Sequence, residues 1–208
     1  GDKKFIFNVT LQNHGGYTYE GTDFESDVHI ENGDFPEADQ YLTLIKKSDE
    51  ALKKLIEHFK NYEEPVVIVF FGDHYPNLPS SFYNWLYGKA ERELSLEEIQ
   101  KKYSVPFFIW ANYDIPEEEN ILTSTNYLST KLVEVAGLEK TPYQEFLTEL
   151  QKSIPGVNIN GYIDNNGMNH RLNEQNEYTD LLKNYNTIQY NELFDKKNKV
   201  QEFFQLTD

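Results

Sequence analysis

The longest unbroken apolar run of the chain extends from Val66 to Phe71. A short, continuous apolar run predicts a strand that is buried on both faces, as in the middle of a parallel sheet. Gly72, Asp73 and His74 follow it, and Pro76 ends the pattern. Ligands of open α/β sheets bind beyond the carboxyl ends of the strands. The pattern therefore predicts that Asp73 and His74 reach a binding crevice.

The preceding segment predicts a strand and a helix. Phe5–Leu11 is rich in aromatic and β-branched residues, which favour a strand. A long amphipathic helix is predicted from Pro36 to about Tyr62, because apolar side chains recur there at helical spacing. The order strand, helix, strand predicts a right-handed βαβ unit whose two strands, Phe5–Leu11 and Val66–Phe71, are parallel neighbours. A third strand is predicted at Val105–Trp110.

Downstream of the third strand the sequence predicts mainly helices. Ser95 begins a short helix through a capping box with Glu98. Further helices are expected at 124–136, 141–153 and 174–190, with Gly137 ending the first and Thr141 capping the second, and 155–169 is expected to be a loop with at most one short strand. We expect two domains, a main part over 1–154 and an appendage over 155–208 that packs on it.

Charge and composition narrow the classes of function. The 208 residues include 35 acidic and 19 basic side chains, a net charge of −16. Such an excess disfavours binding of nucleic acid or of an anionic membrane surface through this chain. An anionic substrate stays compatible with it, because a bound divalent cation inverts the local potential. The chain has no Cys, which excludes disulfides, thiolate nucleophiles and zinc–thiolate sites.

Asp73 and His74 are the first candidate site. A carboxylate and an imidazole suit Mn²⁺, Mg²⁺ or Zn²⁺. Adjacent strand residues face opposite sides, so the backbone must turn for both to reach one ion, and Gly72 and Pro76 permit that turn. A metal site needs further ligands from elsewhere. The alternative is that Asp73 begins a turn and His74 bonds the backbone.

His14 is the second candidate, because it lies just past the end of the first predicted strand. Two parallel neighbouring strands would bring His14 and the Asp73–His74 pair to one crevice. An imidazole there could bind an anionic oxygen or transfer a proton, and Asn13 could donate to the same ligand. The Gly15–Gly16 turn lets the backbone approach closely. The alternative is a loop histidine whose ring bonds the backbone.

The other candidates are weaker. His29 and His58 lack a chemical context, and His170 with Arg171 either lines a pocket or lies on the surface. The sequence contains neither a Gly-x-Ser-x-Gly nucleophile elbow nor a phosphate-binding glycine loop followed by Lys.

Three segments resemble a known family, and they follow in this order: Gln12-Asn13-His14, Phe70-Phe71-Gly72-Asp73-His74-Tyr75-Pro76 and Val105-Pro106-Phe107-Phe108-Ile109-Trp110-Ala111-Asn112. The chain resembles the sulfatase-like extracellular domain of lipoteichoic acid synthases and related phosphoglycerol transferases, which belong to the alkaline phosphatase superfamily. The resemblance covers roughly residues 4 to 154.

The resemblance implies an α/β fold with a doubly wound, mostly parallel sheet, and one divalent cation, Mn²⁺ or Mg²⁺. It assigns Asp73 and His74 as metal ligands and His14, with Asn13 beside it, as the contact to the substrate phosphate. The implied reaction transfers glycerophosphate from phosphatidylglycerol to a growing cell-envelope polymer through a phosphothreonine intermediate.

The sequence departs from the family pattern in two respects, of which the first is that its Asn-His turn continues Gly15-Gly16-Tyr17 where a turn with Tyr or Pro is commoner. The threonine nucleophile and a glutamate metal ligand of the family precede the first strand, and no residue here matches them. We therefore expect the C-terminal part of a transferase that transmembrane helices anchor at the extracytoplasmic face of the bacterial membrane, and an inactive isolated chain. Its partners would be a lipid-linked glycerophosphate donor and a polymer acceptor. The alternatives are a sulfatase or another phosphoesterase of the superfamily, or a non-catalytic module that retains the fold.

Overall fold

A computed structural model describes residues 3–18 and 24–206. The chain divides into two compact units. The first unit comprises Gly1–Tyr62 and His74–Leu94, and the second comprises Glu63–Asp73 and Ser95–Asp208. The chain passes from one unit to the other after Tyr62, Asp73 and Leu94, so Asp73 and His74 belong to different units.

The first unit is helical within its described residues. Its helices are α1 (Pro36–Phe59), α2 (Ser80–Tyr87) and a 3-10 helix at Glu91–Glu93. Pro36 begins α1 as predicted, because its fixed φ suits the first helical position. A small core joins Ala38 of α1 to Tyr17, Leu78 and Tyr83. The loop before α1 and the segment after Asp73 therefore pack against the same helix.

The second unit combines short strands with helices. Its elements are β1 (Val67–Phe71), α3 (Leu96–Lys102), β2 (Phe107–Ala111), α4 (Thr125–Val135), α5 (Pro142–Ser153), β3 (Gly156–Asn158), β4 (Gly161–Ile163), β5 (Asn169–His170), α6 (Thr179–Leu193) and α7 (Gln201–Phe204). Strands β1 and β2 form one sheet, and β3, β4 and β5 form another in that order. The mixture of helices and strands confirms the α/β class.

A buried core joins α4, α5, β4 and α6 of the second unit. Its buried members lie in these elements or, for Ile154, directly after α5: Tyr127, Leu147, Leu150, Ile154, Tyr162 and Tyr185. The Tyr127 hydroxyl donates to the Ile154 carbonyl across 2.7 Å. Burial raises the pKa of this phenol far above its usual value, so it stays a neutral donor. The core includes residues on both sides of the predicted boundary after residue 154, and that boundary stays a prediction.

The predicted helix ends are confirmed where a side chain defines them. Ser95 accepts from the Glu98 amide at 3.3 Å while the Glu98 carboxylate accepts from the Ser95 amide at 2.7 Å. Thr141 and Gln144 form the same reciprocal pair at the start of α5. Gly137 ends α4 with φ at 61°, a conformation that other residues adopt at a cost.

The first predicted strand is wrong for this structure. Phe5–Leu11 has no regular secondary structure, and its apolar side chains are exposed, with Ile6 at 83%. A strand requires a partner for its backbone N–H and C=O groups, and a favourable composition does not supply one. The parallel pairing expected between this segment and β1 is therefore absent from the described residues.

The predicted burial and direction of the central strand also need correction. All three strand pairings of the described residues are antiparallel, β1 with β2 included, where Val67 faces Ala111 and Phe71 faces Phe107. None of the β1 residues is buried, and Phe70 is 37% exposed. A sheet of two strands lacks the neighbours that would cover both faces.

Two further segments differ from the predictions, namely 155–169 and the start of helix α6. The segment 155–169, expected to be mainly loop, contributes to a three-stranded antiparallel sheet. Its strands are two or three residues long, too short for an alternating pattern to be recognised. Helix α6 begins at Thr179 rather than at 174, because Arg171–Glu174 forms a turn in which the Glu174 amide donates to the Arg171 carbonyl at 3.1 Å.

Candidate functional site

His14 lies on a tight turn of the first unit. Its amide donates to the Leu11 carbonyl at 3.1 Å, and Gly16 has φ at 113°, where a side chain would strain the backbone. The imidazole is exposed. Gly16 thus lets the chain reverse while His14 stays at the surface.

Helix α1 holds this turn in place through Asn13. The Asn13 amide nitrogen donates to the Ser48 hydroxyl at 2.9 Å, and that hydroxyl donates to the Asn13 side-chain oxygen at 3.2 Å. The Tyr17 hydroxyl donates to the Asn13 carbonyl at 2.7 Å, and the Tyr17 ring packs edge-on against Tyr41 of α1. Hydrogen bonds therefore fix both the side chain and the backbone that precede His14.

A cavity of about 340 Å³ opens beside the turn within the first unit. It is lined by both polar and apolar side chains of the turn, of the following loop and of α1: His14, Gly15, Gly16, Tyr17, Thr18, Phe24, Gln40 and Leu44. An imidazole next to a mixed cavity of this size can bind the anionic group of a small molecule.

The second candidate pair lies where the chain leaves β1. The Gly72 amide donates to the Pro106 carbonyl at 3.1 Å, and a Cβ at position 72 would approach the Val105 Cβ to 2.9 Å. Glycine is therefore needed for the close approach of the two segments. Asp73 and His74, which follow, are both exposed.

The tautomer of His74 follows from its backbone contact. Its Nδ1 donates to the Tyr75 carbonyl across 2.7 Å, which is the backbone bond that the alternative interpretation expects. Metal-binding histidines commonly bond a carbonyl in the same way, because a proton on Nδ1 leaves the lone pair on Nε2. The contact is thus compatible with both interpretations, and the metal role of Asp73 and His74 stays a prediction.

The chemistry of this pair fits a hard divalent cation only in part. A carboxylate and an imidazole are suitable donors for Mn²⁺ or Mg²⁺. Within residues 3–18 and 24–206, however, no group of three or more His, Cys, Asp or Glu side chains is placed to hold a metal ion. These two side chains alone would not complete a coordination sphere, and their role as metal ligands stays a prediction.

A polar cluster surrounds His170, and no motif in the sequence predicts it. The ring is held between two carboxylates, with Nε2 at 3.0 Å from Asp164 and Nδ1 at 3.2 Å from Glu174. It also stacks on Tyr162, with ring centroids 4.9 Å apart. The hydrogen bond to Asp164 is the main reason that the pKa of His170 is raised, and Glu174 adds to it.

Asp164 organises the same cluster. Its side chain is 6% exposed and accepts from the amides of Asn166 at 2.8 Å and Met168 at 2.9 Å. Burial disfavours the Asp164 charge, but the hydrogen bonds from His170 and these amides outweigh it, so the pKa of Asp164 is lowered. The cluster is a closed network that holds the β4–β5 hairpin. Asp and His six residues apart across a turn form no recognised motif.

The two remaining histidines, His29 and His58, contact side chains of helix α1. His29 lies 3.0 Å from Asp39 of α1, whose other oxygen accepts from the Ile30 amide at 2.9 Å. His58 is exposed near the end of α1 and packs edge-on against Phe59. Neither lines the cavity beside His14.

The sequence profile described as Sulfatase matches residues 1–138 of the chain. The chain belongs to the sulfatase family. The family resemblance expected from the sequence is thereby confirmed. None of the helices in the described ranges is both long and apolar enough to span a bilayer.

Two curated relatives carry names that refer to bacterial glycans. The chain is 29% identical over 212 residues to a putative cyclic beta-1,2-glucan modification protein of Rhizobium meliloti (strain 1021), an alignment that covers 98% of this chain and 33% of the relative. It is 48% identical over 42 residues to the capsular polysaccharide biosynthesis protein RkpI of the same organism, covering 20% of this chain and 8% of the relative. The chain thus spans a third of the length of the first relative.

A solved structure shares the fold. The Streptococcus pyogenes phosphoglycerol transferase GacH, in complex with sn-glycerol-1-phosphate, superposes with a TM-score of 0.62. The match covers 96% of this chain and 47% of GacH at 20% sequence identity. The sulfatase-like fold expected from the sequence is confirmed by this match.

Proposed function

We propose that this chain is part of a phosphoglycerol transferase that modifies a cell-envelope polymer. The observation that carries the proposal is the presentation of His14 on a glycine turn, fixed to α1 and next to a cavity of about 340 Å³. This arrangement provides an anion contact beside room for a small organic group. GacH, which has the same fold, is a phosphoglycerol transferase in complex with sn-glycerol-1-phosphate.

In this proposal His14 binds a phosphoryl oxygen of the donor. A positioned imidazole can hold the anionic oxygen by a hydrogen bond and can transfer a proton during the displacement. Asn13, whose side chain is bonded to Ser48, orients the turn from α1 and adds an amide next to the phosphate. The fixed position of the turn matters because a preorganised hydrogen-bond donor does not have to rearrange as negative charge develops on the phosphoryl oxygen.

Asp73 and His74 are the proposed ligands of Mn²⁺ or Mg²⁺. When bound, the cation offsets the negative charge of the phosphoryl oxygens. The family's threonine nucleophile and glutamate ligand match no residue of this chain, so we propose that other residues of the complete enzyme supply them. We expect the 208 residues alone to bind Mn²⁺ weakly and to have no turnover.

The proposed substrates are a lipid-linked glycerophosphate donor and a glycan acceptor at the extracytoplasmic face of the membrane. Support for the acceptor class comes from the names of the two curated relatives, which refer to glucan modification and to capsular polysaccharide. Support for the donor class comes from the name of GacH. A membrane anchor would place the site next to a lipid donor.

The proposal is tested with the full-length protein, a labelled phosphatidylglycerol and a glycan acceptor. Asp73→Asn keeps the shape of the side chain but removes its charge, and we expect transfer to fall at least about 100-fold because metal affinity is lost. Asp114→Asn, at an exposed loop carboxylate, is the matched control and should retain activity. Wild-type transfer by Asp73→Asn would refute the metal assignment, and turnover by the 208 residues alone would refute the need for further residues.

A second candidate is hydrolysis of a sulfate or phosphate ester, which the description of the family profile as Sulfatase favours. The full-length protein distinguishes the two activities in one assay, because a hydrolase releases free sulfate or phosphate without an acceptor. If neither transfer nor hydrolysis occurs with any ester of a substrate panel, the third interpretation, a non-catalytic module with this fold, replaces both.

A further inference from the structure

We propose that the end of helix α6 and the turn that follows it form a contact with an anionic phospholipid surface. The contact has an apolar part, Tyr190, Leu193 and Phe194, and a basic part, Lys196 and Lys197, and we call it the α6 patch. The inference goes beyond the proposed function, because it concerns the second unit and does not depend on which ester the enzyme uses.

The apolar part of the α6 patch is exposed as a group. Tyr190, Leu193 and Phe194 are 61%, 64% and 67% exposed. Their spacing of three and four residues places them on one face at the end of the helix, and the ring centroids of Tyr190 and Phe194 are 5.7 Å apart. Single exposed apolar residues are normal on protein surfaces, whereas a contiguous group marks an interaction site.

The basic part lies at the tip of the turn after α6. The Asp195 carboxylate accepts from the backbone amide of Asn198 at 3.1 Å and from its side-chain amide at 3.2 Å. These bonds close a turn whose two central residues are Lys196 and Lys197, and both lysines are exposed. Among the residues that the structure describes, neither lysine has an ion-pair partner. Their charges are therefore available to an anionic surface.

Asn191 holds this turn against the flank of α6. Its side-chain nitrogen donates to the Asn198 carbonyl at 3.0 Å, and its side-chain oxygen accepts from the Val200 amide at 3.0 Å. Lys199, which follows the turn, pairs with Glu192 of α6 at 2.8 Å. The apolar and basic parts are thus held next to each other before binding, and a preorganised surface binds without the cost of ordering it.

The combination of side chains favours a lipid surface over other anionic partners. Aromatic side chains are enriched at the headgroup level of bilayers, and lysines gain electrostatic attraction close to anionic lipids. A phospholipid interface uses both parts of the α6 patch. An acidic polymer would contact the two lysines and leave the apolar face in water.

The net charge of −16 applies to the chain as a whole, and the α6 patch has the opposite local sign. The segment 193–200 contains three Lys and one Asp. The next carboxylates along the chain are Glu192, which is paired with Lys199, and Glu202. Charges further away than about 8 Å are largely screened at physiological ionic strength. A contact of this size is weak and reversible by itself.

The experiment measures cosedimentation of the 208-residue chain with vesicles of phosphatidylglycerol and with vesicles of phosphatidylcholine. Thermal unfolding followed by circular dichroism first establishes that the chain is folded. We expect binding to the phosphatidylglycerol vesicles and not to the phosphatidylcholine vesicles. Binding should fall as salt is added, because screening removes the attraction of the lysines.

Two variants test the two parts of the α6 patch separately. The double variant Lys196→Gln with Lys197→Gln removes both charges and should weaken binding about 20-fold, since each lysine near an anionic surface contributes about fivefold. Leu193→Gln keeps the length and the helical preference of the side chain but removes apolar surface, and it should weaken binding about fivefold.

The chain offers a matched control for each variant. Lys53→Gln with Lys54→Gln changes an adjacent pair of exposed lysines on α1. Ile159→Gln changes an exposed apolar residue of the turn between β3 and β4. Both controls should bind the vesicles like the wild type.

The inference is overturned if the wild type binds neither vesicle or binds both equally. It is also overturned if either variant of the α6 patch binds like the wild type. A dimer that Leu193→Gln dissociates in analytical ultracentrifugation, without vesicle binding, would assign the patch to a second copy of the chain instead. Vesicle binding without transfer by the full-length protein would refute only the proposed function, and transfer without vesicle binding would refute only this inference.

Discussion

The two units each contain a histidine in a distinctive setting, and the settings are opposite. His170 of the second unit is held between Asp164 and Glu174 and stacked on Tyr162. His14 of the first unit is exposed on a glycine turn beside a cavity. The residues around His170 fix its ring, whereas the residues around His14 fix only the backbone that carries the ring.

The difference indicates what each histidine can do. A ring that donates to two carboxylates has both nitrogens occupied, so it stabilises the hairpin and cannot also bind a ligand. A ring on a fixed backbone can meet a phosphate without moving the chain. Burial and hydrogen bonding of a histidine are therefore poor signs of function by themselves. The variants below test this contrast in order of decreasing effect.

Removal of Asp164 should have the largest effect, and on stability alone. Asp164→Ala leaves the amides of Asn166 and Met168 without their acceptor and His170 without its main partner. We expect a loss of about 3 kcal/mol in the free energy of unfolding, measured by urea denaturation of the chain. Asp114→Ala should change it by less than about 0.5 kcal/mol. A loss as small in Asp164→Ala as in this control would mean that the cluster does not hold the hairpin.

Removal of His14 should affect activity and not stability. Because the exposed ring contributes little to packing, His14→Ala should lower phosphoglycerol transfer by the full-length protein about 100-fold, with an unchanged melting temperature. His58→Ala, at an exposed histidine on the same unit, should retain both. The contrast would be lost if His14→Ala melted at a lower temperature, or if His170→Ala lost as much transfer activity.

The protonation of His170 should make the melting temperature of the chain depend on pH. This effect should be smaller than the effects of the Asp164 and His14 variants. The pKa of His170 is raised above 6.5 by Asp164 and Glu174, so its contribution is fully present below pH 6.5 and is lost as the pH rises through the raised value. Melting temperatures of wild type and His170→Gln, measured from pH 6 to pH 9, should differ by a few degrees at the acid end and converge at the alkaline end. If the melting temperatures of wild type and His170→Gln instead diverged as the pH rose, the neutral His170 ring would be the stabilising form.

Local signals in the sequence were reliable for helices. Capping pairs at Ser95 and Thr141, the glycine after α4 and Pro36 at the start of α1 each depend on neighbouring residues only, and each is confirmed. The motif Gly72-Asp73-His74, the turn at His14 and the segment Val105–Asn112, taken in this order, likewise predicted the sulfatase family, which is confirmed. Their roles in binding stay predictions.

Contacts between distant residues were not predictable. Phe5–Leu11 has the composition of a strand and yet has no regular secondary structure and is exposed, because pairing depends on a neighbour that composition does not specify. The Asp164–His170 cluster was missed for a related reason. The hairpin that joins its members is built from strands too short to be read from the sequence.

What the sequence by itself determined is thus the family, the α/β class, the helix ends that a capping residue, a proline or a glycine marks, and the residues with suitable chemistry. Each of these depends on local propensity or on a motif whose members are adjacent. Only the tertiary structure decided that β1 and β2 are antiparallel, that Asn13 is held by Ser48 of α1, and which histidine is enclosed and which is presented. These features depend on the packing of segments that are far apart in the chain, and the free energy of that packing cannot be read from any one of them.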